Sequence, residues 1–277
     1  MDSSLSLSSA TFVYALASVF YVAAFAFKKQ VFAKVGFWTI AAGFALNTAG
    51  ILLRWVESYE MGYGHAPFSN MYESLVFFSW TVAVLYLFVE LKYKINSMGV
   101  FVSPLIFLAI AYASFDPSIS AKINPLIPAL KSNWLIAHVI TCFLGYAGFA
   151  VAFGFSIIYF VKPKQAVQGS VWSKLPSWEV MDELTYQMVV FGFLFLTIGI
   201  ITGSVWANSA WGKYWSWDPK ETWSLITWLI YAVFMHLRLM RGWYGKNMAL
   251  VSIVGFMAVL FTYFGVNFLL SGLHSYG

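Results

Sequence analysis

Residues 134–161 read WLIAHVITCFLGYAGFAVAFGFSIIYFV, an apolar run without a single Asp, Glu, Lys or Arg. A helix needs about 20 mostly apolar residues to cross the hydrocarbon core of a membrane, so this stretch predicts a transmembrane helix. Seven further stretches on either side of it qualify in the same way. They are roughly 10–27, 35–53, 71–91, 99–114, 186–204, 223–239 and 247–271.

The composition also indicates a membrane protein. Of the 277 residues, 61% are hydrophobic and 10% are charged, whereas soluble domains carry about 25% charged residues. So few charges argue against a soluble enzyme, a disordered chain and a coiled coil. Alternation with a period of two residues is absent, so we expect an all-α fold, a single polytopic helix bundle over residues 1–277. The single cysteine, Cys142, excludes an internal disulfide and a cysteine-rich metal site.

Charge asymmetry predicts the orientation of the spans. The segment before the first span lacks basic residues, and Lys28 and Lys29 follow that span, so we interpret it as a retained helix rather than a signal peptide. With the N-terminus outside, the inner loops are 28–34, 92–98, 162–185 and 238–246. They hold 11 of the 16 basic residues, as the positive-inside rule requires. Both termini are therefore expected on the outer, periplasmic or lumenal, side. The net charge of +5 then needs no nucleic-acid partner.

Three longer loops, 54–70, 115–133 and 205–222, are expected outside, and the third is rich in tryptophan. We define its aromatic cluster as Trp206, Trp211, Tyr214, Trp215 and Trp217. An aromatic belt at the membrane interface can have such a composition. The concentration in one loop favours instead a platform for a large planar apolar ligand, because aromatic rings bind such a ligand by stacking and by area burial.

Structural explanations compete with functional ones for other residues near this loop. Asp218-Pro219-Lys220-Glu221 has the pattern of a helix capping box with proline in the first turn, and Asn70 to Glu73 begin the third span in the same way. Helix initiation is the favoured role of Asp218 and Glu221, and catalysis is the alternative. Gly199 and Gly203 have the small-residue spacing that lets helices pack closely in lipid.

Four histidines are candidate ligands: His65, His138, His236 and His274. The predicted topology places His236 in the inner half of the membrane, roughly 20 Å from the outer end of its span, and the other three at the outer side. Ionisable residues at membrane depth indicate function. Imidazoles beside an aromatic platform suit a porphyrin, whose iron accepts a neutral imidazole nitrogen on each face. Zinc is the competing metal, but the sequence has neither HExxH nor a cysteine cluster.

The run Trp211-Gly-Lys-Tyr-Trp215-Ser-Trp217-Asp218-Pro-Lys-Glu221 resembles the WWD signature, WGxxWxWDxxE, of haem-handling proteins. Its surroundings are most similar to the CcsA (ResC)-type cytochrome c biogenesis proteins of bacteria and plastids. The matching segments are Gly64-His-Ala-Pro67-Phe-Ser-Asn70-Met-Tyr-Glu73-Ser, Trp134-Leu-Ile-Ala-His138-Val and Gly272-Leu-His274-Ser-Tyr-Gly277. Together they span nearly the whole chain in the order found in that family.

The resemblance implies a function in cytochrome c biogenesis, with a CcsB (ResB)-type membrane protein as partner. The two proteins would carry haem b to the outer face and attach it to the CxxCH thiols of apocytochrome c. His138 and His274 are implied as axial ligands of the outer haem iron. His236 is implied as a ligand of an inner haem, opposite a histidine of the partner. No ligand role follows for His65.

We also expect the loop to cover the bound haem, with Asp218 and Glu221 beside the aromatic cluster. Lys213, Lys220 or Arg54 would pair with the haem propionates, since a cation offsets a carboxylate in this setting. The chain would then act as a membrane subunit of a cytochrome c synthetase, by ligation and positioning rather than by acid or base residues. The bacterial inner membrane is the expected location, and the thylakoid membrane is the alternative.

Three other functions remain open at this point. A cytochrome b-type electron carrier also uses histidines in helices, but it would pair them inside the bundle at one depth. A transporter of another substrate would often show broken helices or inverted repeats, and neither is clear here. A structural membrane subunit with an aromatic belt would bind no coloured ligand.

Overall fold

A computed structural model describes residues 2–163 and 170–270, and within them all regular structure is helical. The helices are α1 (Ser3–Phe27), α2 (Gln30–Glu60), α3 (Met71–Tyr93), α4 (Gly99–Phe115), α5 (Asn133–Val161), α6 (Trp178–Trp211), α7 (Pro219–Arg241), α8 (Lys246–Leu260) and α9 (Val266–Leu269). A π-helical turn over Phe261–Gly265 joins α8 to α9, so these form one continuous rod. Short 3-10 turns lie at Asn96–Met98, Pro128–Leu130 and Val171–Lys174.

Eight helices of the described chain are long and apolar enough to cross a membrane. The fourth includes the 3-10 turn at Asn96, and the eighth runs through the π-turn to Leu269. The predicted all-α membrane fold and its eight spans are therefore confirmed. The side on which each terminus lies stays a prediction.

Two helices extend beyond their predicted ends. The second span was expected over 35–53, but α2 continues to Glu60. Its polar end is stabilised because the guanidinium of Arg54 donates to Glu73 Oε1 at 2.8 Å and Glu57 accepts hydrogen bonds from the backbone N–H and hydroxyl of Ser3. Likewise α6 runs to Trp211, so the loop expected over 205–222 is reduced to residues 212–218.

The contacts divide the chain into two compact units, residues 1–126 with 162–176 and residues 127–161 with 177–277. The first unit contains α1 to α4. Its core is formed by large buried side chains such as Tyr14, Tyr21 and Tyr86. The amide of Asn47 on α2 donates to the hydroxyl of Ser79 on α3 at 2.9 Å. The expectation of one bundle over 1–277 stays a prediction.

The second unit contains α5 to α9, and its centre is the close pairing of α5 with α6. A Cβ atom added to Gly148 of α5 would lie 2.9 Å from the backbone nitrogen of Gly192 on α6, so the two backbones approach as only glycine allows. The rings of Phe149 and Tyr231 stack with centroids 3.6 Å apart, which packs α7 against α5. The pairing of α5 with α6 places the start of α5 beside the end of α6.

Candidate functional site

His138 lies five residues after the start of α5, and α6 holds its ring in one orientation. Its Nδ1 lies 2.7 Å from the carbonyl oxygen of Gly199. A carbonyl can only accept, so this hydrogen bond requires the proton on Nδ1. The lone pair of the neutral ring is then on Nε2, which is the nitrogen that a metal can bind. A metal-ligating histidine commonly donates the N–H of its other ring nitrogen to a backbone carbonyl in this way, which fixes the tautomer and the ring orientation.

The glycines of α6 provide the space for this ring. A Cβ atom added to Gly203 would lie 2.5 Å from Nδ1 and 2.7 Å from Cε1 of His138. A Cβ atom added to Gly199 would meet the sulfur of Cys142 at 2.6 Å. The expected packing role of the two glycines is confirmed, and Gly203 has the further effect of leaving room for the imidazole.

Trp206 forms one wall of the site. Its ring is nearly parallel to that of His138, with centroids 6.0 Å apart and an interplanar angle of 15°. The indole nitrogen donates to the carbonyl of Ala129 at 2.9 Å, and the side chain is only 4% exposed. Trp211 meets it edge to face at 4.8 Å. Trp206 therefore packs behind the histidine within a helix and does not present an open surface.

The rest of the aromatic cluster is more open. Tyr214 is 60% exposed and Trp217 is 68% exposed, and the ring of Trp215 meets that of Trp217 edge to face at 5.7 Å. Ser204 of α6 donates to the carbonyl oxygen of Tyr214 at 2.8 Å, which ties the loop back to the helix. The structure thus places the buried ring of Trp206 beside His138, with the half-buried Trp211 against Trp206, and leaves exposed rings in the loop that follows.

Trp217 has a strained backbone, and Glu221 supports the residues on both sides of it. Its φ is +60°, a left-handed conformation that a non-glycine residue adopts at a cost on the order of 1 kcal/mol. Oε2 of Glu221 accepts from the backbone N–H of Ser216 at 2.8 Å and from that of Asp218 at 3.2 Å. The carboxylate therefore stabilises the backbone conformation in which the indole ring of Trp217 points outward.

Asp218 and Glu221 form the predicted capping box of α7. Oδ1 of Asp218 accepts from the backbone N–H of Lys220 at 2.9 Å, and Asp218 is 7% exposed. At α3, Asn70 accepts from the N–H of Glu73, but the carboxylate of Glu73 reaches back to Ser69 instead of Asn70. Helix initiation is thus confirmed for both segments. A direct role of the two acidic residues toward a ligand stays a prediction.

The three cations expected beside a ligand differ in their surroundings. Arg54 is buried against Glu73, and its Nη2 donates to the carbonyl of Ala121 at 2.8 Å. Lys220 donates to Oδ1 of Asn267 at 3.0 Å. Lys213 is exposed in the loop. Arg54 already has a buried carboxylate partner. Lys213 is therefore the strongest candidate of the three to pair with a solvent-facing anion.

The other histidines lie in distinct environments. His236 is exposed on α7, roughly 25 Å along the helix from Pro219. His274 lies outside the described residues. His65 is 7% exposed, and its ring nitrogens lie 3.0 Å from the carbonyl oxygen of Ala66 and 2.9 Å from that of Asn124. With both nitrogens facing carbonyls, His65 connects two loops of the first unit and offers no nitrogen to a metal.

Sequence reasoning missed the two partners of His138. Gly199 acts through its backbone carbonyl, which every residue type has, so no side-chain pattern could identify it. Trp206 belonged to the predicted cluster, but its stacking on His138 joins positions far apart in the chain. The available signal was the spacing of Gly199 and Gly203, which lie one turn apart on α6. Small residues at that spacing mark where another helix approaches.

Known proteins resemble this chain over most of its length. Residues 68–274 match the family described as cytochrome C assembly protein. The chain is 38% identical over 281 aligned positions to the cytochrome c biogenesis protein CcsA of Chlorella vulgaris, covering 90% of this chain and 88% of the relative. It is 42% identical to CcsA of Chlamydomonas reinhardtii, covering 82% of this chain and 64% of that one.

A solved structure shares the fold. The chain titled cytochrome c heme lyase CcmF superimposes with a TM-score of 0.72 at 17% identity. The match covers 95% of this chain and 47% of the solved one. At this identity the likeness concerns the fold alone.

Proposed function

This chain belongs to the cytochrome C assembly protein family, and we propose that it binds haem at His138 and presents it for covalent attachment to apocytochrome c. Haem is here a substrate that passes through the protein. The names of the CcsA relatives support a role in cytochrome c biogenesis. The observation that carries the proposal is the His138 ring, held by the Gly199 carbonyl in the tautomer that directs a lone pair onto Nε2.

We propose His274 as the second axial ligand of the same iron. The last span ends beside the site, because the ring of Tyr263 meets that of Phe143 edge to face at 6.0 Å, and Phe143 is on α5 little more than one turn from His138. Leu270 is the last described residue. His274 follows Leu270 by four residues in the sequence, and four residues span at most about 14 Å, so the proposal requires Leu270 to lie within about that distance of the His274 ligand position.

His236 is proposed as a ligand of haem at an inner site shared with a CcsB (ResB)-type partner. Its exposure on α7 supports this role, since an imidazole at membrane depth is costly unless something pairs with it. A ligand from a second membrane protein would meet that need. The haem type, haem b, and the membrane, bacterial inner or thylakoid, are parts of this proposal that follow from the resemblance in sequence.

The chemistry then needs placement more than acid or base catalysis. Each thiol of the CxxCH motif adds across a vinyl group of the haem, with sulfur bonding one vinyl carbon and hydrogen the other, so the step is redox-neutral. Holding thiols and vinyls together makes the addition effectively unimolecular. His138 would fix the iron, and the exposed rings of Trp217 and Tyr214 would provide apolar contact for the macrocycle. We propose Lys213 as a partner of a propionate.

The rival function as a cytochrome b-type electron carrier needs two histidines on one iron within the bundle. His138 lies about 8 Å from the start of α5 and His236 roughly 25 Å from the start of α7. Both helices start at the predicted outer side, so the two rings differ in depth by more than one iron can bridge. A haem that is stably retained and never transferred would nevertheless favour this rival.

The test is co-expression of the full chain with a CcsB-type partner and an apocytochrome. We compare His138→Ala, His274→Ala and His236→Ala by covalent cytochrome yield and by the Soret band of the purified complex. Yield is expected to fall in all three, and added imidazole should partly restore it in the His138 and His274 variants by replacing the missing ligand.

Thr141→Ala is the matched control for His138→Ala. Thr141 lies one turn further along α5, and its hydroxyl donates to the carbonyl oxygens of Ala137 at 2.7 Å and of His138 at 3.1 Å, so its loss removes backbone contacts of the same turn and leaves the side-chain ligand in place. Normal yield is expected for this variant. An unchanged Soret band and normal yield in His138→Ala would contradict the proposed ligand role.

A further inference from the structure

A cavity of about 280 Å³ lies in the first unit, and none of its lining residues belongs to the proposed haem site. It is formed where α1 ends, α2 begins and the two 3-10 turns at Asn96 and Val171 meet them. Its polar lining consists of Lys28, Lys29, Lys174, Gln30, Asn96 and Ser97. Tyr21 and Phe25 of α1 contribute aromatic rings. The lining of the cavity therefore combines aromatic and other apolar side chains with three lysines.

The lining is positively charged. Three lysines contribute to it, and no Asp or Glu is among the described residues that line the cavity. The nearby carboxylate of Glu90 is buried, and its Oε2 accepts from the hydroxyl of Tyr21 at 2.5 Å. α2 begins here without a side-chain cap, so the positive end of its dipole adds to the field of the lysines.

The walls of the cavity are joined to each other. Nζ of Lys174 donates to the carbonyl oxygen of Lys28 at 2.6 Å. The ring of Trp172 meets that of Phe25 edge to face at 5.4 Å. These contacts hold the turn Val171–Lys174 against the end of α1, so the three lysines stay clustered at one opening.

The helix ends around the cavity also carry exposed apolar side chains. Phe27 on α1 precedes Lys28 and is 67% exposed, and Val31 on α2 follows Gln30 and is 68% exposed. A ligand with a small anionic head and apolar chains suits this arrangement, because its head would meet the lysines and its chains would meet apolar side chains at the same helix ends.

We propose that this cavity binds the head group of an anionic phospholipid. Basic pockets between membrane helices on the inner side favour such lipids, since each nearby lysine attracts the anionic phosphate, and charge asymmetry predicts this end of the unit on the inner side. Among the described residues, the lining contains no histidine, cysteine or methionine, and the hydroxyl of Tyr21 donates to Glu90, so the lining does not favour haem. This inference does not depend on the proposed role in cytochrome c assembly.

The test measures lipid binding to the purified full chain in detergent, by the shift of its thermal midpoint. The probes are dioctanoyl phosphatidylglycerol, dioctanoyl phosphatidylcholine and glycerol 1-phosphate. Only phosphatidylglycerol is expected to raise the midpoint. Lys28→Gln/Lys29→Gln/Lys174→Gln should weaken its binding roughly a hundredfold, because three lysines at an anionic head group are lost. Stabilisation by glycerol 1-phosphate alone would assign the cavity to a soluble phosphate and overturn the lipid assignment.

The matched control is Lys34→Gln/Lys92→Gln/Lys94→Gln, which removes the same charge from exposed positions of the same unit outside the cavity lining. It should bind phosphatidylglycerol as the unmodified chain does. Equal weakening in both triple variants would show a diffuse charge effect and overturn the proposal. Should the cavity triple variant fold poorly, Lys29→Gln alone, read by retained phosphatidylglycerol in native mass spectrometry, decides the matter: unchanged retention contradicts the site.

Discussion

The hydrogen bond between Nδ1 of His138 and the carbonyl of Gly199 selects which nitrogen of the ring can bind iron. That bond depends on a separation that only glycine at 203 permits, since any side chain there would occupy the position of the ring. The proposed ligand and the space that Gly203 leaves beside it therefore act together. A histidine in α5 without this glycine would have the right residue type and the wrong orientation.

We predict that Gly203→Ala impairs haem binding although it changes no ligand. The added methyl group would lie 2.5 Å from Nδ1, so the ring must leave the Gly199 carbonyl. Loss of the hydrogen-bond partner that orients a ligating histidine typically weakens metal binding about 10- to 100-fold. A titration of the purified variant with haem, followed at the Soret band, measures the effect.

Ile201→Ala is the control for this change, because Ile201 lies on the same helix with its side chain 60% exposed. It should bind haem as the unmodified chain does. Wild-type affinity in Gly203→Ala would show that the imidazole has more freedom than the packing of α5 on α6 indicates.

Among the elements, the loop between α6 and α7 and the first turn of α7 show that the acidic residues of the tryptophan motif have a structural role. Its last acidic residue, Glu221, accepts hydrogen bonds from the backbone on both sides of Trp217, and Asp218 caps α7. Gly212, with φ of +73°, ends α6. The acidic residues thus hold the loop in the conformation in which Trp217 projects outward.

This explanation predicts different effects for two substitutions of Asp218. Asparagine caps a helix as well as aspartate does, whereas alanine costs about 1 kcal/mol. Asp218→Asn should therefore keep near-normal stability and cytochrome yield, and Asp218→Ala should lower both. Thermal unfolding and covalent haem content of the cytochrome measure the two effects. An equal loss of yield in Asp218→Asn would instead mean that the negative charge itself takes part in the reaction.

The helices were largely predictable, and their ends were not. Long apolar runs define a span because the bilayer excludes polar residues. The polar end of α2 was interpreted as a loop because Arg54 has no partner within its own stretch of sequence; its partner, Glu73, is on α3. The end of α6 was missed because Trp206 and Trp211 have the residue type of loop aromatics, whereas both lie within the helix, Trp206 against His138 and Trp211 against Trp206.

At the scale of the whole molecule, the sequence identified the histidines but not their relation to one another. His138 lies beside Gly199 and Trp206 because α5 and α6 pack together through their glycines. The pattern of residues along the chain does not show which positions of the two helices meet. The exposed position of His236 depends in the same way on which face of α7 packs inward: Tyr231 and Phe234 are buried while His236 is not. Tertiary packing, rather than residue type, separates these sites.

The orientation of the molecule in its membrane is the remaining prediction, and it follows from charge alone. Most basic residues lie in the predicted inner loops. Exposed positions in these loops should therefore face the inner side of the membrane, and exposed positions in the other loops should face the outer side. Single cysteines at Ser118 and Lys213 are expected to react with a membrane-impermeant maleimide in intact cells, and those at Lys29 and Lys246 only after permeabilisation. The unmodified chain is its own control, because its single cysteine, Cys142, is buried and should stay unlabelled. Labelling with the two sides exchanged would place the His138 end on the inner face, where apocytochrome thiols on the outer side could not reach the haem.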